Sequence, residues 1–149
     1  MSHRVQREVI IDAPVERMFA LIMDFDRYPQ FVPGVKACRP KAPAPDGSID
    51  AEYEVDVGVR TIRYVLRHRP VPPTALTWSL VSGEWMKVLN GAWELADAGG
   101  KTRARYSIEA QITKPMLVPQ SVVDRISDEL TRVQLHRVLD AFKTVAERR

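Results

Sequence analysis

The chain has 149 residues, of which 45% are hydrophobic, and 22 basic against 19 acidic side chains give it a net charge of +3. That length fits one domain, taken here as residues 1–149, which on folding should bury roughly 70% of the surface its unfolded form exposes. The single cysteine, Cys38, excludes an intrachain disulfide and a cysteine zinc cluster and points to a reducing, cytoplasmic setting. The opening MSHRVQREVIID lacks the apolar core of a signal peptide, and no window approaches the roughly 20 apolar residues that a membrane helix needs.

Residues 4 to 11 alternate and end in the β-branched trio Val9, Ile10 and Ile11, which predicts a strand. Asp12, Ala13, Pro14 and Glu16 then mark a helix start, with Val15, Met18, Phe19 and Ile22 at helical spacing behind it. Asp26 is placed to cap a second short helix, kept brief by Pro29 and Pro33. Pro40, Pro43, Pro45, Pro70, Pro72 and Pro73 fall between apolar runs and are expected to cut strands apart, with residues 41 to 48 as one loop.

From about residue 50 the period becomes two. Tyr53, Val55 and Val57 alternate with Glu52, Glu54 and Asp56; after a turn near Gly58, Ile62, Tyr64 and Leu66 alternate with Arg63 and Arg67. Leu76, Trp78 and Leu80 predict a further strand, and Met86 to Leu95 another. After the Ala98-Gly99-Gly100 turn, Tyr106, Ile108, Ala110 and Ile112 alternate with Arg103, Arg105, Glu109 and Gln111. Asn90-Gly91 read alone is a hairpin signal, but one continuous strand puts Leu89 and Trp93 on a shared face and is preferred. Pro115 and Pro119 fence a connector. A long helix follows from Gln120 to about Glu147, with Val122, Ile126, Leu130, Val133, Val138, Phe142 and Val145 on a stripe that drifts around the axis, so that its two halves face different surroundings. At 1.5 Å per residue about 28 residues reach roughly 42 Å, enough to cross a sheet. The fold class is therefore α+β: an antiparallel sheet with helices on one side.

The order of elements, with VIIDAPVERMFALIMDFDRYPQFVPGV at 9 to 35, GEWMKVLNGAWEL at 83 to 95 and GGKTRARYSIEAQI at 99 to 112, resembles the START and birch-pollen-allergen-like superfamily, also called the polyketide cyclase/dehydrase group. Within it the chain looks most like the coenzyme-Q-binding, START-like branch, above all in Asp26, Tyr28, Pro29, Phe31 and Pro33. The resemblance implies a helix-grip fold, in which a curved seven-stranded sheet holds the last helix over an apolar cavity. The superfamily spans lipid carriers, quinone chaperones and aromatase/cyclases, and some relatives are described as ribosome-association toxins, so the fold alone does not choose a function.

No P-loop, dinucleotide fingerprint, HExxH or GxSxG is present, and neither a cofactor nor a metal is expected. The histidines are scattered, and His68 at a strand end reads as a rim or surface residue rather than a base. Arg60, Arg63, Arg67 and Arg69 are expected to pair across strands with Asp50, Glu52, Glu54 and Asp56, which leaves nucleic acid or a ribosome little to hold. The inward register of Tyr53, Tyr64, Trp78, Trp93 and Tyr106, with Ile108, Leu130 and Val133, makes these the candidate ligand-binding residues. Phe25, Tyr28, Phe31 and Val32, on a proline-broken segment, are the candidate gate. The expected activity is binding or carriage of a small hydrophobic ligand (lipid, isoprenoid quinone or polyketide-like). The loading route expected is a transient contact with a membrane or a ligand donor, and the expected state is a monomer or weak dimer. An aromatase/cyclase using the same cavity is the alternative, and a deep ionisable residue would separate the two; by strand parity Arg63, Arg67, Arg103 and Arg105 all point outward.

Overall fold

The period-two alternation from residue 49 onward becomes five consecutive antiparallel strands in the structure, a computed structural model that describes residues 3–113 and 116–148. The strands are β1 (His3–Ile11), β2 (Val35–Pro40), β3 (Ile49–Asp56), β4 (Thr61–Val71), β5 (Ala75–Gly83), β6 (Met86–Asp97) and β7 (Thr102–Ile112). They form one sheet in the order β1-β7-β6-β5-β4-β3-β2, every neighbour antiparallel. β1 and β2 thus lie on opposite edges, and the chain between them forms helix α1 (Val15–Ile22), a 3₁₀ turn (Phe25–Arg27) and helix α2 (Tyr28–Phe31). The C-terminal helix runs as α3 (Gln120–Asp128), a π-helical turn (Glu129–Val133) and α4 (Gln134–Glu147). No helix among the described residues is long and apolar enough to cross a membrane.

Parity decides which side chains face the helix. Tyr53, Val55 and Val57 on β3 and Ile62, Tyr64 and Leu66 on β4 are buried, while Arg63 is exposed and Arg67 half-exposed on the far face. There Arg67 pairs with Asp50 at 2.9 Å and Arg63 with Glu54 at 2.8 Å, and Arg39 of β2 reaches Glu52 and Glu54. Of the other expected arginines, Arg60 lies over the Trp85 ring at 4.6 Å and Arg69 reaches Ser79. Asn90-Gly91 does not turn: β6 continues through it, and Gly91 faces inward beneath Trp78. A Cβ at Gly91 would come within 2.2 Å of the indole.

Several expectations need correction. Asp26 caps nothing, because it lies inside the 3₁₀ turn with its side chain exposed, and Asp24 precedes that turn without a side-chain cap bond. Pro70 does not end its strand; β3 pairs with β4 only as far as His68, so Pro70 stands beyond the reach of that ladder, where no donor is needed. On the last helix Val122, Val133 and Val145 are only half-buried, and the packed residues are Val123, Ile126, Leu130, Leu135, Val138, Leu139, Phe142 and Ala146. At Val133 the cause is the π-helical turn: one extra residue rotates the buried face, and the Thr131 hydroxyl of that turn donates to the Ser127 carbonyl of α3 at 2.7 Å. Pro115 lies outside the described residues.

Candidate functional site

Between the inner face of the sheet and the C-terminal helix lies a cavity. It offers about 80 Å³ to the centre of a water-sized sphere and about 660 Å³ of non-atomic space when its mouth is included. Its sheet wall is aromatic because the strands place their inward rings side by side. Tyr53 stacks on Tyr64 with ring centres 5.4 Å apart, Trp78 lies 5.6 Å from Tyr106, and Trp93 lies 4.7 Å from Tyr106. The helix wall is Leu130, Gln134, Val138 and Phe142.

Of the residues read from sequence as ligand contacts, Tyr53, Tyr64, Trp78, Trp93, Tyr106, Ile108 and Leu130 line this cavity. Val133 does not, since the π-helical turn carries it to a half-buried position and brings Gln134 to the wall instead. In the segment read as a gate, Tyr28 and Val32 line the cavity. Phe31 packs edge-on against Phe142 at 5.0 Å, and Phe25 lies behind the wall against His68 at 4.6 Å.

His68 is the residue the sequence reading misplaced. It is 2% exposed and lines the cavity. Its Nδ1 lies 3.1 Å from the Ile49 carbonyl, which can only accept, so Nδ1 carries the proton. Burial pushes its pKa down to about 4, leaving the ring neutral at pH 7, and Nε2 therefore accepts the Tyr53 hydroxyl at 2.9 Å. The signal was available: His68 continues the even-numbered inward register of Ile62, Tyr64 and Leu66. Gln134, 7% exposed, was overlooked because the sequence analysis counted apolar positions only.

The remaining polar groups are equally uncharged. Burial raises the phenols of Tyr28, Tyr53, Tyr64 and Tyr106 above their ordinary pKa, and the Tyr28 hydroxyl donates to the Ile22 carbonyl. Cys38, facing Tyr53 across the β2–β3 ladder, is pushed by burial up to about 12 and carries no thiolate at neutral pH. Among the described residues no group of three or more His, Cys, Asp or Glu could hold a metal ion. The site can solvate an apolar molecule and offer hydrogen bonds to it, and among the described residues it presents no fixed charge.

Known proteins share this architecture. The Zhui aromatase/cyclase from Streptomyces sp. R1128 superposes with a TM-score of 0.88 over 100% of this chain and 96% of that one, at 14% identity. A START superfamily protein from Mycobacterium smegmatis gives 0.80 over 97% of each chain at 20% identity. By sequence, the ribosome association toxin RatA of Pseudomonas aeruginosa is 29% identical over 101 residues, 68% of this chain and 69% of the toxin. The family model described as polyketide cyclase / dehydrase and lipid transport matches residues 11–139. With that match running from the end of β1 into α4, over most of the sequence, the chain belongs to the polyketide cyclase/dehydrase and lipid transport family.

Proposed function

We propose that this protein binds and carries a small hydrophobic molecule in the cavity between sheet and helix, with Tyr53, Tyr64, Trp78, Trp93, Tyr106, Ile108 and Leu130 as ligand contacts. The observation that carries the reading is the cavity wall itself, where aromatic rings from β3 to β7 meet an apolar helix face. Burying a ligand there gains about 25 cal/mol per Å² of apolar surface. Because Trp78 and Trp93 both line the cavity, binding should quench or shift tryptophan emission and raise the melting temperature. Titration with a panel of lipids, isoprenoid quinones and polycyclic aromatics checks this. If neither emission nor melting temperature responds to any member, carriage fails.

A second reading, the aromatase/cyclase, is favoured by the Tyr53–His68 pair: a neutral imidazole that accepts from the phenol makes the phenol oxygen a better acceptor for a substrate proton inside an apolar cavity. Under it, the wild type should convert a reactive poly-ketone to a cyclised product, and His68→Gln should abolish conversion while retaining affinity. Under carriage alone, no cyclised product forms. Association with a ribosome, which the name of the Pseudomonas relative raises, finds less support, because the outer sheet face carries mixed, cross-paired charges rather than a basic stripe.

A further inference from the structure

Among the described residues five ionisable side chains line the cavity, Tyr28, Tyr53, Tyr64, Tyr106 and His68, all neutral at pH 7, and no lysine, arginine, aspartate or glutamate does. The arginines of the wall strands leave on the other face and are paired there, Arg63 with Glu54, Arg67 with Asp50, and Arg103 and Arg105 with Glu8, while Arg69 reaches Ser79. An ionised carboxylate or phosphate entering this space would lose its water and meet no counter-charge, a cost that hydrogen bonds alone do not offset.

The neutral polar groups divide into two sets. Tyr28 and Tyr53 have their hydroxyls engaged, on the Ile22 carbonyl and on His68 Nε2. The Tyr64 and Tyr106 hydroxyls and the Gln134 amide make no hydrogen bond among the described residues, although these residues are only 8%, 6% and 7% exposed. No side-chain nitrogen or oxygen among the described residues is sealed in without a partner. The three groups therefore open onto the cavity. Two sit on the sheet wall. The third, Gln134, sits on the helix wall beside Gly34, where an added Cβ would stand 2.8 Å from its Nε2. Each of the three can donate a hydrogen bond to an acceptor oxygen in the cavity.

We infer that the cavity selects an uncharged ligand carrying acceptor oxygens, a ketone, ester or ether rather than a carboxylic acid or phosphate ester, through the Tyr64 and Tyr106 hydroxyls and the Gln134 amide. This rests on the cavity-binding reading and narrows it to a ligand class. The tyrosines and Gln134 give direction to an otherwise apolar site, and the absence of a cation from its walls among the described residues is the discriminating feature.

Three probes of one skeleton test it at pH 7: naphthalene, methyl 1-naphthoate and 1-naphthoate, followed by calorimetry and tryptophan emission. The ester should bind about threefold to tenfold more tightly than naphthalene for each hydrogen bond gained, and the carboxylate on the order of 100-fold more weakly than the ester. Tyr64→Phe, Tyr106→Phe and Gln134→Leu, each checked for an unchanged melting temperature, should weaken ester binding relative to naphthalene binding measured in the same variant, so that the gap between the two narrows. If naphthalene binds but the ester and the carboxylate bind alike, or the variants treat the ester as the wild type does, the selectivity is refuted and the cavity-binding reading stands. If none of the three probes binds, the cavity-binding reading falls and the selectivity with it.

Discussion

His68 shows how much one buried polar side chain can report. Its ring is held between the Ile49 carbonyl and the Tyr53 hydroxyl and packed against Phe25, so a proton added to it is buried with no carboxylate among the described residues of the cavity wall to pair with it. Because its folded pKa, about 4, lies below the ordinary value near 6.5, the unfolded chain takes up the proton first. The stability that neutral His68 provides is complete above pH 6.5 and is lost as pH falls from there towards 4. The loss should be about 2 kcal/mol between pH 7 and pH 5. Carboxylates with lowered pKa, such as Asp50 and Glu54, add their own loss only as the unfolded carboxylates protonate below about pH 4.5. Urea denaturation at pH 7, 6 and 5 checks this: the wild type should weaken steadily, and His68→Gln should show a nearly flat profile over the same range. Equal slopes for both would assign the effect to other groups. The sequence analysis missed this residue because a histidine near a strand end was judged by its polarity, when the register of β4 already placed it inside.

At the level of elements, strand parity was legible and helix phase was not. Alternation in β3, β4 and β7 placed Tyr53, Tyr64 and Tyr106 on the inner face, because successive side chains of a strand point to opposite faces wherever no bulge intervenes. A helical stripe carries no such protection: a single extra residue at Glu129–Val133 moved Val133 off the cavity and Gln134 onto it. β6 gives the complementary case, where the local hairpin preference of Asn90-Gly91 is overruled by pairing with β7 along the whole strand and by the Trp78 ring lying over Gly91. Gly91→Ala would drive a methyl group against Trp78 and also towards the Ser107 carbonyl, 2.7 Å away, so neither a ring rotation nor a small strand shift relieves it alone. It should destabilise the protein by about 1–3 kcal/mol and shift tryptophan emission as Trp78 is displaced. Guanidinium unfolding followed by fluorescence measures both; an unchanged midpoint would mean that the strand yields freely.

For the whole molecule, the sheet and the covering helix could be read from the sequence, whereas the size of the space between them could not. That space depends on how Phe31, Phe142, Trp93 and Tyr106 interlock, and no periodicity encodes such a fit. At about 80 Å³ for water-sized centres the cavity is narrow, so a multi-ring ligand must displace side chains on entry. Phe31 is the half-buried ring of the segment proposed as a gate, seated over Phe142. Replacing it with alanine should change the on and off rates of a fluorescent ligand by several-fold or more with little change in affinity, because a lid acts on passage and not on the bound state. Stopped-flow exchange checks this, and unchanged rates in a folded variant would place the entrance elsewhere.

The clasp between β1 and α4 bears on how the protein is made. Lys143 donates to the Ile10 carbonyl, the Asp12 amide to Glu147, and Arg7 lies 3.6 Å from Asp140, so the first strand is held by the last helix across more than 120 residues of chain. Strands β2 to β7 are joined to their neighbours in sequence and can pair as the chain leaves the ribosome. The helix that covers Trp78, Trp93 and Tyr106 comes last. During synthesis the nascent chain therefore presents an uncovered aromatic sheet, open to chaperones or to a ligand already at hand, and this exposure ends only when residues 120–147 have emerged and closed over it.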